Sequence, residues 1–259
     1  MNLFTVAKSI SNSLAKKSVA ARLNGELVDM ATVIDKDAEV EFITADTEEG
    51  VKVIRHSTAH LMAHAVTRLY KDAKVAIGPA IENGFYYDFD IASVQLSEED
   101  LPKIEEEMKK IVKENIKIER IMMTREEAIK HFEELGEIYK VEIIKDIAKG
   151  EMLSFYKQED FMDLCRGPHV PSTGYLKVFK LNKIAGAYWR GNSDNKMLQR
   201  IYGLAFATKQ ELKDYLHLLE EAAMRSPCIA TKSSPRSPQL EKAHEIGRAS
   251  CRERVSSPV

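Results

Sequence analysis

Two histidines four residues apart open the chemical reading of this chain. His56 and His60, in the run His56-Ser57-Thr58-Ala59-His60, fall on one face if the segment is helical. Imidazole is the side chain best matched to proton transfer near neutral pH. About a hundred residues later comes Cys165-Arg166-Gly167-Pro168-His169, where glycine and proline favour a tight loop that turns a thiol and an imidazole to one side. Three imidazoles and a thiol can serve proton transfer or form a tetrahedral zinc set of His56, His60, Cys165 and His169. Read alone, the histidine pair is more often structural than catalytic. The second Cys/His pair shifts the balance, because four such residues seldom coincide without purpose. His64, one turn further on, reads as a packing or surface residue, and His131 and His217 as solvated.

These groups need elements to carry them. Residues 53–69 read as a helix. Residues 75–77 and 84–89 read as strands, as do 141–144, 153–156 and 177–181. Helices are expected over 97–114, opened by Ser97 with Asp100 three residues on, and from Thr124, opened the same way. Separate helices among hairpin-like strands argue an α+β fold. Ahead of this lies a small α+β module, residues 1–46. It holds a helix over 4–14, a strand over 19–23, an Asn24-Gly25 turn, a return strand over 26–29 and an alternating strand over 38–43. So short a module has little core of its own. Residues 46–50 read as an acidic linker, and residues 209–224 as a charged exit helix.

Composition narrows the classes. At 44% apolar and 30% charged the chain can bury a core, and no apolar run approaches a membrane span. A net charge of −2 confines any nucleic-acid contact to a local basic patch. Three scattered cysteines make no disulfide framework and fit a reducing compartment. Residues 1–17 have no acidic residue, but a transit peptide there would lack arginine, so a cytoplasmic protein is expected. Residues 226–259 hold four of the eight prolines and no aromatic residue. That composition cannot bury a core, so a disordered tail is expected.

Longer stretches carry a family resemblance. Arg55-His56-Ser57-Thr58-Ala59-His60-Leu61 resembles the first histidine motif of the threonyl-tRNA synthetase editing domain, which alanyl-tRNA synthetases share in variant form. Ile77-Gly78-Pro79 and Asn83-Gly84-Phe85-Tyr86-Tyr87-Asp88 follow in that family's order, and residues 163–171 resemble the second motif. Residues 185–191 and 197–203 look like the segments that close the domain. The match covers about residues 1–223. The first module resembles a TGS domain, a small ubiquitin-like fold, with its usual opening strand missing. The expected organisation is a clipped TGS domain (1–46), a two-layer α+β editing domain (51–208), a linker helix (209–225) and the tail.

The resemblance implies hydrolysis of serine wrongly esterified to threonine tRNA. One methyl group separates the two amino acids, worth only about 1–3 kcal/mol in a pocket, so a second, hydrolytic site supplies the missing discrimination. By resemblance, His56 and His60 serve the water and its proton. Cys165 and His169 shape the seryl pocket, and Lys140 assists the water or the leaving hydroxyl. Tyr87, Asp163 and Arg166 fall to substrate binding. The bland alternatives are a surface lysine, a core tyrosine and a loop-capping aspartate. The editing site of this family is held to be metal-free, so no metal is expected. The partners implied are the acceptor end of tRNA(Thr) and seryl-tRNA(Thr), with no membrane and no DNA. Lys180, Lys183, Arg190, Lys196 and Arg200 form a candidate phosphate-binding patch or a solvated face. Trp189 and Tyr188 could stack on a base or be buried. Nothing after Met224 resembles the class II core, so ATP, magnesium, the core zinc and the dimer contacts are expected to be absent. The competing readings are a non-catalytic tRNA- or zinc-binding module and an inert truncation product.

Overall fold

The computed structural model describes residues 1–147, 150 and 152–225. The first module opens with α1 (Leu3–Ile10) and α2 (Asn12–Lys17). The single expected helix is broken at Ser11, whose extended backbone ends α1 while its hydroxyl accepts from Ser13 N–H to start α2. Strands β1 (Ser18–Leu23), β2 (Glu26–Val28) and β3 (Val40–Thr44) form an antiparallel sheet in the order β2-β1-β3. The β1–β2 hairpin turns at Asn24 and Gly25, both at positive φ (49° and 87°), the geometry for which Asn-Gly is favoured.

The acidic stretch expected as a linker is instead the first turn of α3 (Glu48–Leu69). Thr47 caps it, its hydroxyl accepting from Gly50 N–H at 3.0 Å, and Glu48 and Glu49 face the positive end of the helix. The first module has no need of a large core of its own. Along β1, Ala21 packs into the cluster with Leu3, Ala7 and Met30 of its own module. Val19 and Ala20 join the cluster built on α3. The sheet is thus covered on both faces, one of them by the next module.

After α3 come β4 (Lys74–Val75), β5 (Ala80–Ile81), β6 (Gly84–Asp90) and α4 (Leu101–Glu114). Then follow β7 (Glu119–Met123), α5 (Arg125–Glu134) and α6 (Ile138–Asp146). Strands β8 (Leu153–Gln158), β9 (Phe161–Leu164), β10 (Phe179–Tyr188) and β11 (Met197–Ala205) and helix α7 (Lys209–Arg225) complete the order. One sheet runs β10-β11-β6-β4, with β5 also on β6, and carries α3 and α4. The other runs β7-β8-β9. All described pairings are antiparallel. The architecture is α+β in layers, as expected.

One expected strand is a helix. Residues 141–144 lie inside α6, where Val141 and Ile144 are buried three residues apart beside Tyr139 and Lys140. At Ser97 the capping pair forms, Ser97 N–H donating to Asp100 at 2.8 Å. It opens a short 3-10 turn before α4. The first compact unit, Met1–Tyr215, contains every residue discussed below as a site. Of the second, which begins at Leu216, the described part is the end of α7. The tail expected to be disordered lies outside the described residues. Among the described residues no helix is long and apolar enough to cross a membrane.

Candidate active site

Helix α3 is buried on almost every side between residues 57 and 66, so its histidines face protein, not solvent. His56 and His60, one turn apart, have ring centroids 5.0 Å apart. The loop after β9 brings Cys165 and His169 to them. The His169 ring lies 4.5 Å from His56 and 4.3 Å from His60. His56 Nε2 stands 2.8 Å from Cys165 Sγ, and His169 Nε2 stands 3.3 Å from the same sulfur.

Ser57 locks this arrangement. Its Oγ accepts from Val170 N–H at 3.1 Å and meets His169 Nδ1 at 3.0 Å. With Nδ1 engaged by Ser57, the free nitrogen of His169, Nε2, faces Cys165.

A second polar group closes the opposite wall. Asp163 on β9 pairs with Lys140 on α6 and accepts from the Tyr87 hydroxyl on β6. Lys140 Nζ also donates to Tyr87 Oη at 3.0 Å and to the Ala76 carbonyl at 2.8 Å. His60 Nε2 lies 3.6 Å from Asp163, joining the two groups. The Lys140 and Asp163 side chains are 4% and 2% exposed, so this is a buried ion pair held by further hydrogen bonds.

Between the walls is a cleft of about 330 Å³ lined by His56, His60, Tyr87, Lys140, Asp163 and Cys165, with Gly78 and Pro79 at its side. Gly78 is required: a Cβ there would lie 1.9 Å from the Tyr87 ring.

Burial sets the protonation states. It holds the imidazole of His56 below its ordinary range. It holds His60 and His169 well below, helped at His60 by the neighbouring His56 and Lys140 and at His169 by His60 and His56. Burial also pushes the Cys165 thiol up to about 12. At neutral pH the cleft therefore presents neutral imidazoles, a neutral thiol and the Lys140–Asp163 pair. Neutral imidazole is the form that accepts a proton. His60 Nδ1 has no hydrogen-bond partner among the described residues.

The nitrogens and sulfur of His56, His60, Cys165 and His169 all lie within 4.8 Å of one another. As donor chemistry this fits zinc. Ligands at about 2.0–2.3 Å from a tetrahedral ion stand roughly 3.3–3.7 Å apart. The 2.8 Å between His56 and Cys165 is instead the spacing of a hydrogen-bonded pair, which an ion would have to open.

The structure does not bring every candidate residue to the cleft. Arg166 is exposed and absent from its lining. Among the basic residues, Lys180 is paired with Glu105, Arg190 with Glu142 and Asp146, Lys196 with Asp90 and Arg200 with Asp88. Lys183 lies over the Tyr202 ring. Trp189 is buried, donating from its indole to Glu142, while Tyr188 stays half exposed. His64 is core: it stacks on Phe161, and Arg68 donates to its Nε2. Reading the sequence missed Ser57, Ala76, Tyr156 and Asp29. Ser57 lies inside the quoted motif and was legible there. The other three contribute through contacts 64 to 140 residues apart that no local pattern announces.

Comparison with known proteins agrees with the geometry. Residues 4–44 match the model of the TGS domain, and residues 153–202 match that of the Threonyl and Alanyl tRNA synthetase second additional domain. The Threonine--tRNA ligase of Fusobacterium nucleatum is 63% identical over 224 residues, 86% of this chain. The chain matches the part of threonyl-tRNA synthetases that carries a TGS domain and an editing-type domain. Its similarity to family members runs through both modules. The Threonine--tRNA ligases of Carboxydothermus hydrogenoformans and Anoxybacillus flavithermus are 60% and 58% identical over 220 residues, 85% of the chain. The chain spans about a third of the length of these relatives, 36% of the first and 34% of the other two. Family members are thus matched in the region that holds His56, His60, Lys140, Asp163, Cys165 and His169.

Proposed function

We propose that this cleft hydrolyses the ester of serine attached to threonine tRNA. The observation that carries the reading is the convergence of His56, His60, Cys165 and the Lys140–Asp163–Tyr87 group on one cleft, with His169 buried against the two imidazoles and the thiol. Ester hydrolysis needs a positioned water, a proton acceptor and stabilisation of the developing negative charge. The neutral imidazoles of His56 and His60 take the proton from the water as its oxygen bonds to the seryl carbonyl carbon. The Lys140 ammonium lies across the cleft, where negative charge develops. The bond to the ribose oxygen then breaks, and the proton held by imidazole passes to that oxygen. Serine and a free terminal hydroxyl leave. Asp163 anchors the seryl ammonium, and Cys165 supplies a neutral wall.

The acceptor end of tRNA(Thr) is the partner this reading requires. Because Lys180, Arg190, Lys196 and Arg200 already face carboxylates, phosphates must compete with those carboxylates, and binding should fall steeply with salt. The test is single-turnover deacylation of seryl-tRNA(Thr). His56→Ala and His60→Ala should each lower the rate about 10²–10⁴-fold. Rates within threefold of the parent in both would overturn the assignment.

The His56, His60, Cys165 and His169 set also supports a second reading, a zinc-binding module without turnover. Stoichiometric zinc, lost on Cys165→Ser and accompanied by no deacylation, would favour it.

A further inference from the structure

The loop that carries Cys165 and His169 is held from outside its own module. Asp29 directly follows β2 in the TGS module, yet its carboxylate reaches the loop. Oδ1 accepts from the backbone N–H of His169 at 2.9 Å, and Oδ2 accepts from the Tyr156 hydroxyl at 2.7 Å. Tyr156, on β8, is 1% exposed, and its ring lies 4.3 Å from the His169 ring. The same hydroxyl forms the floor under Gly167, where a Cβ would come within 1.9 Å of it. Gly167 has φ of +75°, so the loop backbone lies flat against Tyr156 in a conformation only glycine adopts freely.

His169 is therefore fixed at three points. Asp29 holds its backbone, Tyr156 its ring face and Ser57 its Nδ1. What remains is Nε2, which points at Cys165 Sγ. Without the carboxylate, a backbone N–H and a buried phenol would both lose their acceptor, and the loop would keep its bonds to Ser154 and Ser57.

We propose that Asp29 is a positioning residue of the cleft, holding the loop of Cys165 and His169 in register with His56 and His60, so that the TGS module completes the hydrolytic site. The inference rests on the proposed function only where activity is the readout. Its geometric content can be measured separately. Displacing catalytic groups by about 1 Å typically costs on the order of 10²-fold in rate.

The substitutions separate positioning from charge. Asp29→Ala removes both acceptors. Asp29→Asn keeps an acceptor for the His169 N–H and turns a donor toward the Tyr156 oxygen, which can accept it. In the full chain, Asp29→Ala should lower kcat for seryl-tRNA(Thr) deacylation 10- to 100-fold with KM within threefold. Asp29→Asn should stay within threefold of the parent in both constants. Alkylation of Cys165 by iodoacetamide, followed by mass spectrometry of the peptide that contains it, reads the loop without reference to function. Its rate should rise at least tenfold in Asp29→Ala, by a smaller factor in Tyr156→Phe, and stay within twofold in Asp29→Asn.

If Asp29→Ala fails to fold, Tyr156→Phe and Asp29→Asn still carry the comparison. Parent-like alkylation in Asp29→Ala, or in Tyr156→Phe where Asp29→Ala is lost, would overturn the inference. So would Asp29→Asn as impaired as Asp29→Ala. A parent chain that does not deacylate seryl-tRNA(Thr) would defeat the proposed function, and the alkylation series would then decide the role of Asp29 by itself.

Discussion

Lys140 and Asp163 are buried opposite charges, and each is tolerable only because the other is present. Tyr87 and the Ala76 carbonyl take up their remaining hydrogen bonds. Removing one charge leaves its partner stranded in a medium that solvates it poorly, which typically costs about 3–5 kcal/mol. Lys140→Met should therefore lower stability by about that amount in urea unfolding, and adding Asp163→Asn should recover part of the loss. A Lys140→Met chain as stable as the parent would show that the pair is solvated. Cys165 makes a different prediction. With its thiol pushed up to about 12 by burial, it stays protonated at working pH and is a poor nucleophile. No seryl thioester should be trapped on acid quench during turnover. Trapping one would assign Cys165 the attacking role in place of water.

At the scale of elements, α3 is the spine of the site. It presents His56, Ser57 and His60 and packs on β6, β11 and α4. Its start depends on Thr47, whose hydroxyl satisfies an N–H that the helix itself cannot. Thr47→Ala should cost about 1 kcal/mol of stability. Because the cap lies nine residues from His56, the deacylation rate at saturation should stay within threefold. A stability loss below about 0.3 kcal/mol would show that water replaces the cap. The helical reading of residues 53–69 set His56 and His60 on one face, and the Asn24-Gly25 turn made the β1–β2 hairpin legible. Residues 141–144 misled because a short apolar, β-branched run carries no period long enough to separate strand from helix. Glu48 and Glu49 looked like a linker because acidic residues suit both a solvated loop and a first helical turn, and only the Thr47 cap distinguishes them. The site residues on α3 and in the Cys165–His169 loop were legible from residue type. Asp29 was not: its partner lies 140 positions away, and its function is written only in the tertiary contact.

At the scale of the molecule, the buried titratable groups tie stability to pH. Burial first, with the Arg68 cation adding, lowers His64 to about 4 from an ordinary 6.5. A histidine depressed in the fold binds fewer protons there than in the unfolded chain. Its contribution is full above about pH 6.5 and is lost as pH falls toward 4, in total on the order of 3 kcal/mol for the difference 6.5 − 4. His60 and His169 add losses of the same sign. Glu137 opposes them. Burial raises it to about 7 from 4.5, so its contribution is full below about pH 4.5 and is lost as pH rises toward 7. The parent should lose stability from pH 7 to pH 5, and Glu137→Gln should lose more over that window. Urea midpoints at the two pH values check this, and equal slopes would remove Glu137 from the account.

The same burial that holds the His56 imidazole below its ordinary range favours the neutral form that accepts a proton from water, and that is the step on which the proposed activity turns. The most direct measurement compares two substrates that differ by one methyl group. Under single turnover at neutral pH, the chain should deacylate seryl-tRNA(Thr) about 10- to 200-fold faster than threonyl-tRNA(Thr), the range one methyl group allows a pocket to discriminate. Equal rates on the two substrates, or no hydrolysis of either at saturating protein, would contradict the account.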